Sequence, residues 1–431
     1  MSPDADFAAP GTNVEGIMTV GKQWFAASTG AELSGTSGLM GSISEQPKPV
    51  QSEFDAMEAC CAIEGRHEKA AILQAKAQNL VSDLVQADGA PGATAYIIAP
   101  NLDLETGVVA GLTEKSAGEP LTTAHPVRIS SVTKPFVAAA ILRLWEIGKI
   151  ELAQSIDSYL SAEHGSILKS GGYDAKAITV RHLLSHTAGL RDVFHTDAFA
   201  QMLPRLMSGQ VRHCFTLEEQ LLMAMEGGRR FSPGDAFEYS DTGYLLLGAI
   251  LEKVTGKSMA AATRQLVSFD RLGLESTWWE VLEVEREGVL TRAHQYEYAC
   301  GWDSYDENPP HDLFGGGGMI STPRDLTTFF HALFHGQVFE RPETIHVMIS
   351  VAKTTTPRNH NDDLYGHGPQ IHSVGDLTVY THGGWWGLDV GYVPEVDMTL
   401  SVVGLRRDIR PRYSAVFDEL ILEAARLHIK R

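Results

Sequence analysis

The chain has 431 residues, of which 43% are hydrophobic and 21% are charged, as is typical of a globular protein with one large core or two moderate ones. Its formal net charge of −19 argues against nucleic acid or an anionic membrane surface as a partner, because both are bound mainly through Lys and Arg. We therefore expect a small-molecule partner.

The chain start, Met-Ser-Pro-Asp-Ala-Asp, has neither the basic nor the apolar segment of a secretory signal. No stretch approaches 18 uncharged apolar residues, so no membrane span is predicted. Two of the four cysteines are adjacent, Cys60 and Cys61, and the set matches neither a disulfide framework nor a paired zinc motif. These features predict a cytoplasmic protein with free thiols.

Residues 1–65 are predicted to be an N-terminal extension outside the catalytic domain. Up to about residue 50 this segment is rich in Gly, Ser, Thr, Ala and Pro and shows no sustained period. It is compatible with a flexible arm and equally with a segment packed on the body or on another subunit. The sequence leaves the oligomeric state open, a homodimer included.

Helical periodicity begins around Phe54 and is clearer from His67 to Gln86. A predicted strand pair follows, Ala93–Ala99 and Gly107–Leu112, joined by a polar turn. The next apolar stretch, Phe136–Ile147, predicts a buried helix.

The middle of the chain is predicted to be largely helical, and strands return near its end. Further helices are predicted at Arg181–Leu190, Leu217–Met225, Tyr244–Val254, Met259–Leu272, Asp325–Phe334 and Ser414–His428. Strands are predicted at Asp376–Tyr380, Asp389–Val393 and Met398–Val403. The pattern predicts an α+β domain over 66–431, with a sheet region at about 66–128 and 290–431 and a helical region at about 131–289.

Ser131 and Lys134 form a Ser-x-x-Lys motif at the predicted start of the buried helix. This spacing puts a hydroxyl and an amine on one helix face, beside backbone N–H groups that favour developing negative charge. The same spacing occurs in 166–169 and in 350–353, so the motif alone does not choose among the three.

Three further stretches follow Ser131 in a distinctive order: the segment from His182 to Leu190, Tyr239-Ser-Asp241, and His382-Gly-Gly384 after a predicted strand. With a Gly-rich run at 315–322, they resemble the serine penicillin-recognising superfamily, in its class C β-lactamase-like branch. That branch includes family VIII carboxylesterases, D-aminopeptidases, D-Ala-D-Ala carboxypeptidases and some acyltransferases. The resemblance covers roughly residues 66–431.

The resemblance implies a β-lactamase/transpeptidase-like fold, an antiparallel sheet flanked by N- and C-terminal helices with a mostly helical second region. It implies a serine hydrolase of esters or amides in which Ser131 forms an acyl-enzyme and Lys134 and Tyr239 exchange its proton. It also implies an oxyanion hole built from the N–H of Ser131 and one on the His382 strand. The substrate-binding candidates are Asp241, His382, Gly383, Gly384, Trp385 and Trp386. Neither a cofactor nor a metal is expected.

Two residues depart from the branch. Asp241 replaces the usual Asn, and an anion there favours the charged form of Lys134, which shifts base work toward Tyr239 if nearby positive charge favours its phenolate. Asp241 could bind a substrate ammonium, or it could simply cap the following helix. His382 replaces the Lys that meets the carboxylate of β-lactams, so efficient β-lactam hydrolysis is not expected. Trp385 and Trp386 predict an apolar wall.

Several alternatives remain open from the sequence. His182 and His186 stand one helical turn apart, but no Glu follows His182 as a zinc protease motif requires. The polar stretch 360–367 contains His and Asp residues and is interpreted as a loop. Esterase and D-amino-acid peptidase or amidase activities are balanced, an acyltransferase is a third outcome, and a catalytically silent scaffold is the competitor from another class.

Overall fold

The structure, a computed structural model, describes residues 50–356 and 364–429. Glu58–Arg431 form one compact unit, which begins before the predicted boundary at residue 66. The other unit, Met1–Met57, is described only from Val50. Helix α1 (Val50–Gln86) crosses residue 66, so the periodicity from Phe54 onward belongs to one helix. The rest of the predicted extension lies outside the described residues.

Strands occur near both ends of the described chain, as the sequence predicts. They are β1 (Gly92–Ala99), β2 (Leu104–Gly111), β3 (Val127–Arg128), β4 (Trp278–Trp279), β5 (Tyr296–Glu297), β6 (Trp302–Asp303), β7 (Met319–Ser321), β8 (Leu364–Tyr365), β9 (Gln370–Val374), β10 (Leu377–Gly384), β11 (Leu388–Val393) and β12 (Met398–Gly404). Seven form one antiparallel sheet in the order β2-β1-β12-β11-β10-β9-β8. Strands β3, β7 and β4 form a smaller sheet.

The helices lie mostly between β3 and β8. They are α2 (Thr133–Glu146), α3 (Ala162–Ser170), α4 (Val180–Leu184), α5 (Asp197–Met207), α6 (Leu217–Met225), α7 (Asp241–Thr255), α8 (Met259–Val267), α9 (Phe269–Leu272), α10 (Pro323–Phe334), α11 (Thr344–Met348) and α12 (Arg410–Ile429). None of the helices in the described ranges is long and apolar enough to cross a membrane.

The large sheet separates two hydrophobic cores. Alternate residues of β12, among them Leu400 and Val402, join a core with α1 and α12, whereas Val403 faces the core built on α2, α7 and α8. This alternation follows from the two-residue period of a strand. On the second face, Ser401 donates to the Pro323 carbonyl at the start of α10, at 3.0 Å. The terminal helices α1 and α12 therefore cover one face of the sheet, as the resemblance implies, and α10 covers the other.

Helix α2 follows closely after the predicted nucleophile, Ser131, and holds it in place. Eleven of its 14 residues are buried, and a helix that is apolar on most of its circumference must be enclosed by other elements. Phe136 stacks on Phe329 of α10 with ring centroids 3.6 Å apart and meets Phe269 edge-on at 5.6 Å. The packing fixes the start of α2 relative to the sheet.

Two predicted helices are shorter than expected. The helix predicted at Arg181–Leu190 ends at Leu184, because His186 and Gly189 take left-handed backbone conformations with φ of 56° and 71°. The helix predicted at Met259–Leu272 is divided at Ser268, where φ is 63°. In both places local periodicity was overridden by a tertiary requirement for a turn.

Candidate active site

The predicted nucleophile lies in a strained turn at the start of a helix. Ser131 is the middle residue of a 3-10 turn, Ser130–Val132, that leads directly into α2. Ser130 has φ of 47°, an uncommon conformation for a residue with a side chain. The turn is tied to the small sheet, since the Ile129 N–H donates to the Met319 carbonyl at 3.0 Å. Ser131 is half-buried beside a cavity.

Lys134 lies beneath Ser131 with no exposed surface. Its Nζ is 3.1 Å from Ser131 Oγ and 2.7 Å from the Gly316 carbonyl oxygen. A third contact, at 2.5 Å, joins Nζ to Asp241 Oδ1. An ammonium has three N–H donors, and these three oxygens can accept one each. The Gly-rich run at 315–322 thus contributes a backbone acceptor to the site.

Tyr239 completes the predicted trio. Its side chain lines the cavity beside Ser131, and Lys134 Nζ lies 4.9 Å from its ring centroid. Burial, together with the nearby carboxylates of Asp241 and Asp192, raises the pKa of Tyr239 well above its usual value. The condition for a phenolate, that nearby positive charge favours it, is therefore not met, because burial and the carboxylate of Asp241 outweigh the positive charges. Tyr239 is a neutral phenol at neutral pH.

Asp241 is the first residue of α7, and the capping position belongs to Ser240. The alternative that Asp241 only caps this helix is therefore wrong. Its carboxylate points at Lys134, with 10% of the side chain exposed against none for Lys134. A Cβ on Gly316 would lie 2.7 Å from Asp241 Oδ1, so glycine is needed where the Gly-rich run passes the carboxylate.

Asp192 and Asp312, two acidic residues that the sequence motifs did not indicate, also line the cavity. Burial, with the carboxylate of Asp241, raises the pKa of Asp192 to about 8. Its carboxylate accepts the N–H of Phe194 at 3.0 Å and that of Asp241. Burial also raises the pKa of Asp312. Asp192 closely follows the segment ending at Leu190 and Asp312 closely precedes the Gly-rich run, which is the one sequence signal that pointed to them.

A buried ion network holds the loop that carries Asp312. Arg128 of β3 donates to Glu280 Oε2 at 2.7 Å and to Glu307 Oε2 at 2.9 Å. Glu307 also accepts hydrogen bonds from His311, the residue before Asp312. Because the network links β3 to this loop, it fixes the cavity wall relative to Ser131.

The opposite wall is formed by the end of β10. His382 is 1% exposed, its Nε2 lies 3.2 Å from the Tyr365 hydroxyl, and its Nδ1 lies 2.9 Å from the Gly383 carbonyl oxygen. Burial, with the positive charge of Lys134, lowers the pKa of His382 to about 3. The imidazole is thus neutral and offers no cation to a substrate carboxylate.

The residues after His382 differ in how they meet the cavity. Gly383, Trp385 and Trp386 line it, whereas Gly384 does not. A Cβ on Gly384 would lie 2.6 Å from the Ile129 carbonyl oxygen, which shows how closely β10 approaches the Ser131 turn. Trp385 is half-buried and Trp386 is 3% exposed. The predicted apolar wall is present.

The cavity beside Ser131 has a volume of about 620 Å³. Its other lining side chains combine aromatic rings with a few ionisable groups, among them Phe194, Phe199, Phe237, Tyr239, Tyr365, Asp192, Asp241, His311, Asp312 and Arg410. Such a size and composition are typical of small-molecule sites.

The two competing Ser-x-x-Lys motifs have no such surroundings. Ser166 and Lys169 are exposed on α3, and Ser350 and Lys353 are exposed after α11. Ser350 donates to the Val347 carbonyl at 2.7 Å, as a local turn contact. Only Ser131 among the three has a buried lysine and a tyrosine beside it.

The histidines considered for metal binding are engaged elsewhere. His182 Nδ1 accepts the N–H of Thr179 at 3.2 Å, and His186 Nδ1 accepts that of Ser240, also at 3.2 Å. In residues 50–356 and 364–429 no cluster of three or more His, Cys, Asp or Glu side chains is arranged to hold a metal ion. Of the polar stretch 360–367, positions 360–363 lie outside the described residues.

Comparison with known proteins agrees with this geometry. The Beta-lactamase family model matches residues 77–410. The chain belongs to the beta-lactamase family. This membership confirms the resemblance drawn from the motifs, and with it the fold and the broad class of serine hydrolase.

Relatives within the beta-lactamase family carry several activities in their names. Esterase EstB of Burkholderia gladioli is 33% identical over 181 residues, which are 42% of this chain and 45% of EstB. A penicillin-binding protein of Bacillus subtilis (strain 168) is 24% identical over 331 residues, 73% of this chain and 67% of that protein. The chain thus spans less than half of EstB and about two thirds of the second relative.

Among solved structures, D-amino acid amidase from Ochrobactrum anthropi SV3, complexed with L-phenylalanine amide, superposes with a TM-score of 0.69 and 25% identity. The match covers 82% of this chain and 98% of the amidase. A penicillin-binding protein homologue from Pyrococcus abyssi, described as octameric, has a TM-score of 0.66 at 23% identity and supports the fold alone.

Proposed function

We propose that the protein cleaves a carboxylic ester or amide bond of a small substrate through an acyl-enzyme on Ser131. The observation that carries the proposal is the 3.1 Å contact between Ser131 Oγ and the buried Lys134 Nζ, beside a cavity of about 620 Å³. A hydroxyl next to an amine, at the start of a helix, is a nucleophile with a proton acceptor in reach.

The reacting carbonyl would lie between the Ser131 turn and the end of β10. Attack by Oγ places negative charge on the carbonyl oxygen, and backbone N–H groups of Ser131 and of the strand wall are the proposed donors. The close approach of Gly384 to the Ile129 carbonyl supports this arrangement, because it brings the two backbones together. The substrate then spans the gap between the helical and the sheet side.

Tyr239 is proposed as the general acid for the leaving group. Burial and nearby carboxylates raise its pKa well above the usual value, so the phenol carries a proton at the pH at which the reaction runs. Lys134 is proposed as the base that takes the proton from Ser131. Their roles are thus divided more sharply than the sequence suggested.

The acyl group that fits best is apolar or aromatic. The wall of Trp385, Trp386 and Phe237 offers apolar area, whereas His382 is neutral because burial lowers its pKa to about 3. A penicillin-like carboxylate would find no positive charge at His382. Esterase or amidase activity is therefore proposed ahead of β-lactam hydrolysis, with Asp241, His382, Gly383 and the two tryptophans contacting or shaping the substrate site.

A second candidate is an amidase for amino-acid derivatives. Asp192 and Asp312 line the cavity, and an ammonium group bound beside them would favour their charged forms, so they suit a substrate with such a group. The likeness to D-amino acid amidase supports this candidate. It differs from the first in substrate charge, not in mechanism.

One panel tests both candidates. We expect p-nitrophenyl esters of rising chain length to be turned over by the wild type and not by Ser131→Ala, and a chromogenic cephalosporin to be turned over poorly. Faster cleavage of D-amino-acid p-nitroanilides than of neutral anilides would favour the amidase. Product formed from an added alcohol or amine would indicate acyl transfer.

A fluorophosphonate probe provides the independent check on the nucleophile. Mass spectrometry should locate the adduct on Ser131. A folded protein that gains no adduct and turns over no substrate would be a silent scaffold, and turnover retained in Ser131→Ala would exclude this mechanism.

A further inference from the structure

The contacts of Lys134 create a difficulty for its role as base. Nζ is within 3.1 Å of Ser131 Oγ, Asp241 Oδ1 and the Gly316 carbonyl oxygen, and the last two can only accept. As an ammonium, the side chain donates to all three and has no lone pair for the proton of Ser131 until one of its own protons leaves.

Asp241 is placed to receive that proton. Oδ1 is 2.5 Å from Nζ, a shorter approach than that of Ser131 Oγ or of Gly316. The lysine is fully buried and the aspartate side chain is 10% exposed. In such surroundings the desolvation penalty of an ion pair is large, so the neutral amine and carboxylic acid come closer in free energy to the charged pair.

We propose that Asp241 is a catalytic residue that holds a proton during acylation, an inference that rests on the proposed function. One Nζ proton moves to Asp241 Oδ1 and the freed lone pair takes the proton of Ser131 Oγ. The bond from Oγ to the substrate carbonyl carbon forms, and the carbonyl π electrons move to the oxygen.

Water is the one further reactant that the cycle needs. As the bond to the leaving group breaks, Tyr239 gives its proton to that group and is reprotonated from Lys134, which recovers a proton from Asp241. Water then attacks the acyl-enzyme by the same transfers, with its oxygen in place of Oγ. After release of the acid, Ser131 and Tyr239 carry their protons and Lys134 again faces a carboxylate.

The position of Asp241 is fixed by its backbone. It is the first residue of α7, a helix that is buried from Asp241 through Leu251. Burial and Asp241 itself raise the pKa of Asp192 to about 8. The other ionisable groups facing the pair are Asp312, Tyr239, Tyr244, Tyr365, His382 and Arg410.

Asn, the usual residue of the branch, cannot perform this step because an amide does not accept a proton near neutral pH. Asp241→Asn is therefore the decisive variant. The probe is a fluorophosphonate, whose labelling rate reports attack by Ser131 and needs no known substrate. Asp103→Asn is the matched control, because Asp103 is exposed and its φ of 52° suits Asn.

We expect labelling of Asp241→Asn to be about 100-fold slower than wild type between pH 6 and 9, within the range for loss of one proton-transfer group. Asp103→Asn should label like wild type. Labelling of Asp241→Asn at or above the wild-type rate would overturn the proposal, since Asp241 would then only hold Lys134 in its charged form. If Ser131 is labelled in both proteins at such rates, the proposed serine mechanism stands and only the role of Asp241 is rejected. If Ser131 of the wild type is not labelled, the proposed serine mechanism itself is rejected.

The wild type alone gives a second test, which holds even if Asp241→Asn fails to fold. If two protons move in the rate-limiting step, a plot of the labelling rate against the fraction of D₂O is curved. If only one proton moves, the plot is a straight line. We expect a curve for wild type and a straight line for a folded Asp241→Asn. A straight line for wild type would rule out the second transfer.

Discussion

The two sides of the cavity treat buried bases in opposite ways. On the helical side, Lys134 has no exposed surface and meets an aspartate and a carbonyl oxygen. On the sheet side, His382 is 1% exposed and its hydrogen-bond partners are the neutral Tyr365 and Gly383. Burial, with the charge of Lys134, lowers the pKa of His382 to about 3. The sheet side thus leaves its buried base neutral, whereas the helical side surrounds Lys134 with an anion and a backbone acceptor.

The largest expected effect separates the two bases. Lys134→Met should slow fluorophosphonate labelling of Ser131 by about 1,000-fold, because the proton of Oγ loses its acceptor. His382→Gln should slow it by less than about 10-fold, since a neutral side chain replaces a neutral one. Labelling rates measured beside thermal melts check this. Similar losses in both variants would contradict the contrast, and would make His382 part of the proton path.

The glycines of the strand wall give the next contrast. Gly384→Ala should lower the free energy of unfolding by about 1–3 kcal/mol and slow labelling strongly, because its Cβ meets the Ile129 carbonyl at 2.6 Å. Gly383→Ala should be milder, since its Cβ meets only side-chain atoms, those of Arg410 and Asp389, and no backbone atom. Urea unfolding with labelling rates measures both. Equal damage from the two changes would show that β10 shifts as a whole.

Acid should destabilise the protein partly through His382. Its pKa is lowered by burial to about 3, against about 6.5 unfolded, so the unfolded state binds the proton first. This group's stabilisation is complete above pH 6.5 and is lost as the pH falls toward 3. We expect the free energy of unfolding to fall by about 2 kcal/mol from pH 8 to pH 5 on this account.

His382→Gln should reduce the dependence of the free energy of unfolding on pH. His67→Gln, at an exposed position, should leave that dependence unchanged. Some slope should remain in His382→Gln, since burial also lowers the pKa of His367 to about 4. Urea unfolding at several pH values measures the slopes. An unchanged slope in His382→Gln would mean that its imidazole is not held neutral.

The smallest expected effect tests what the strand wall binds. Trp385→Ala should lower the ratio of kcat/KM for p-nitrophenyl hexanoate over acetate by about 10-fold, because apolar area next to the longer acyl group is lost. The acetate rate itself should change little. A uniform loss for both esters would place Trp385 in the positioning of Ser131 instead of in acyl recognition.

The regular elements were predictable where local pattern and tertiary need agreed. The strands after residue 376 and helix α6 match their predictions because their apolar periods are those that the cores bury. The predicted helix after Arg181 was too long, because the left-handed His186 turns the chain toward Ser240. No local pattern reveals that requirement.

Some residues of the candidate site could be predicted from the sequence and others could not. The motifs selected Ser131, Lys134 and Tyr239, which the structure brings together, and the role we propose for each is still to be tested by experiment. Asp192 and Asp312 were missed because acidic residues in loops are usually solvated. Their positions beside Asp241 depend on contacts between distant segments.

The sequence by itself determined the family, the order of the elements and the residues with the chemistry, because these depend on residue type and spacing. Only the tertiary structure decided the charges of the ionisable groups. Tyr239 is a neutral phenol and not a phenolate because burial and the nearby carboxylate of Asp241 raise its pKa. Asp241 and Lys134, far apart in the sequence, meet only in the folded chain. Protonation depends on burial and on distances between side chains far apart in the chain, which folding alone sets.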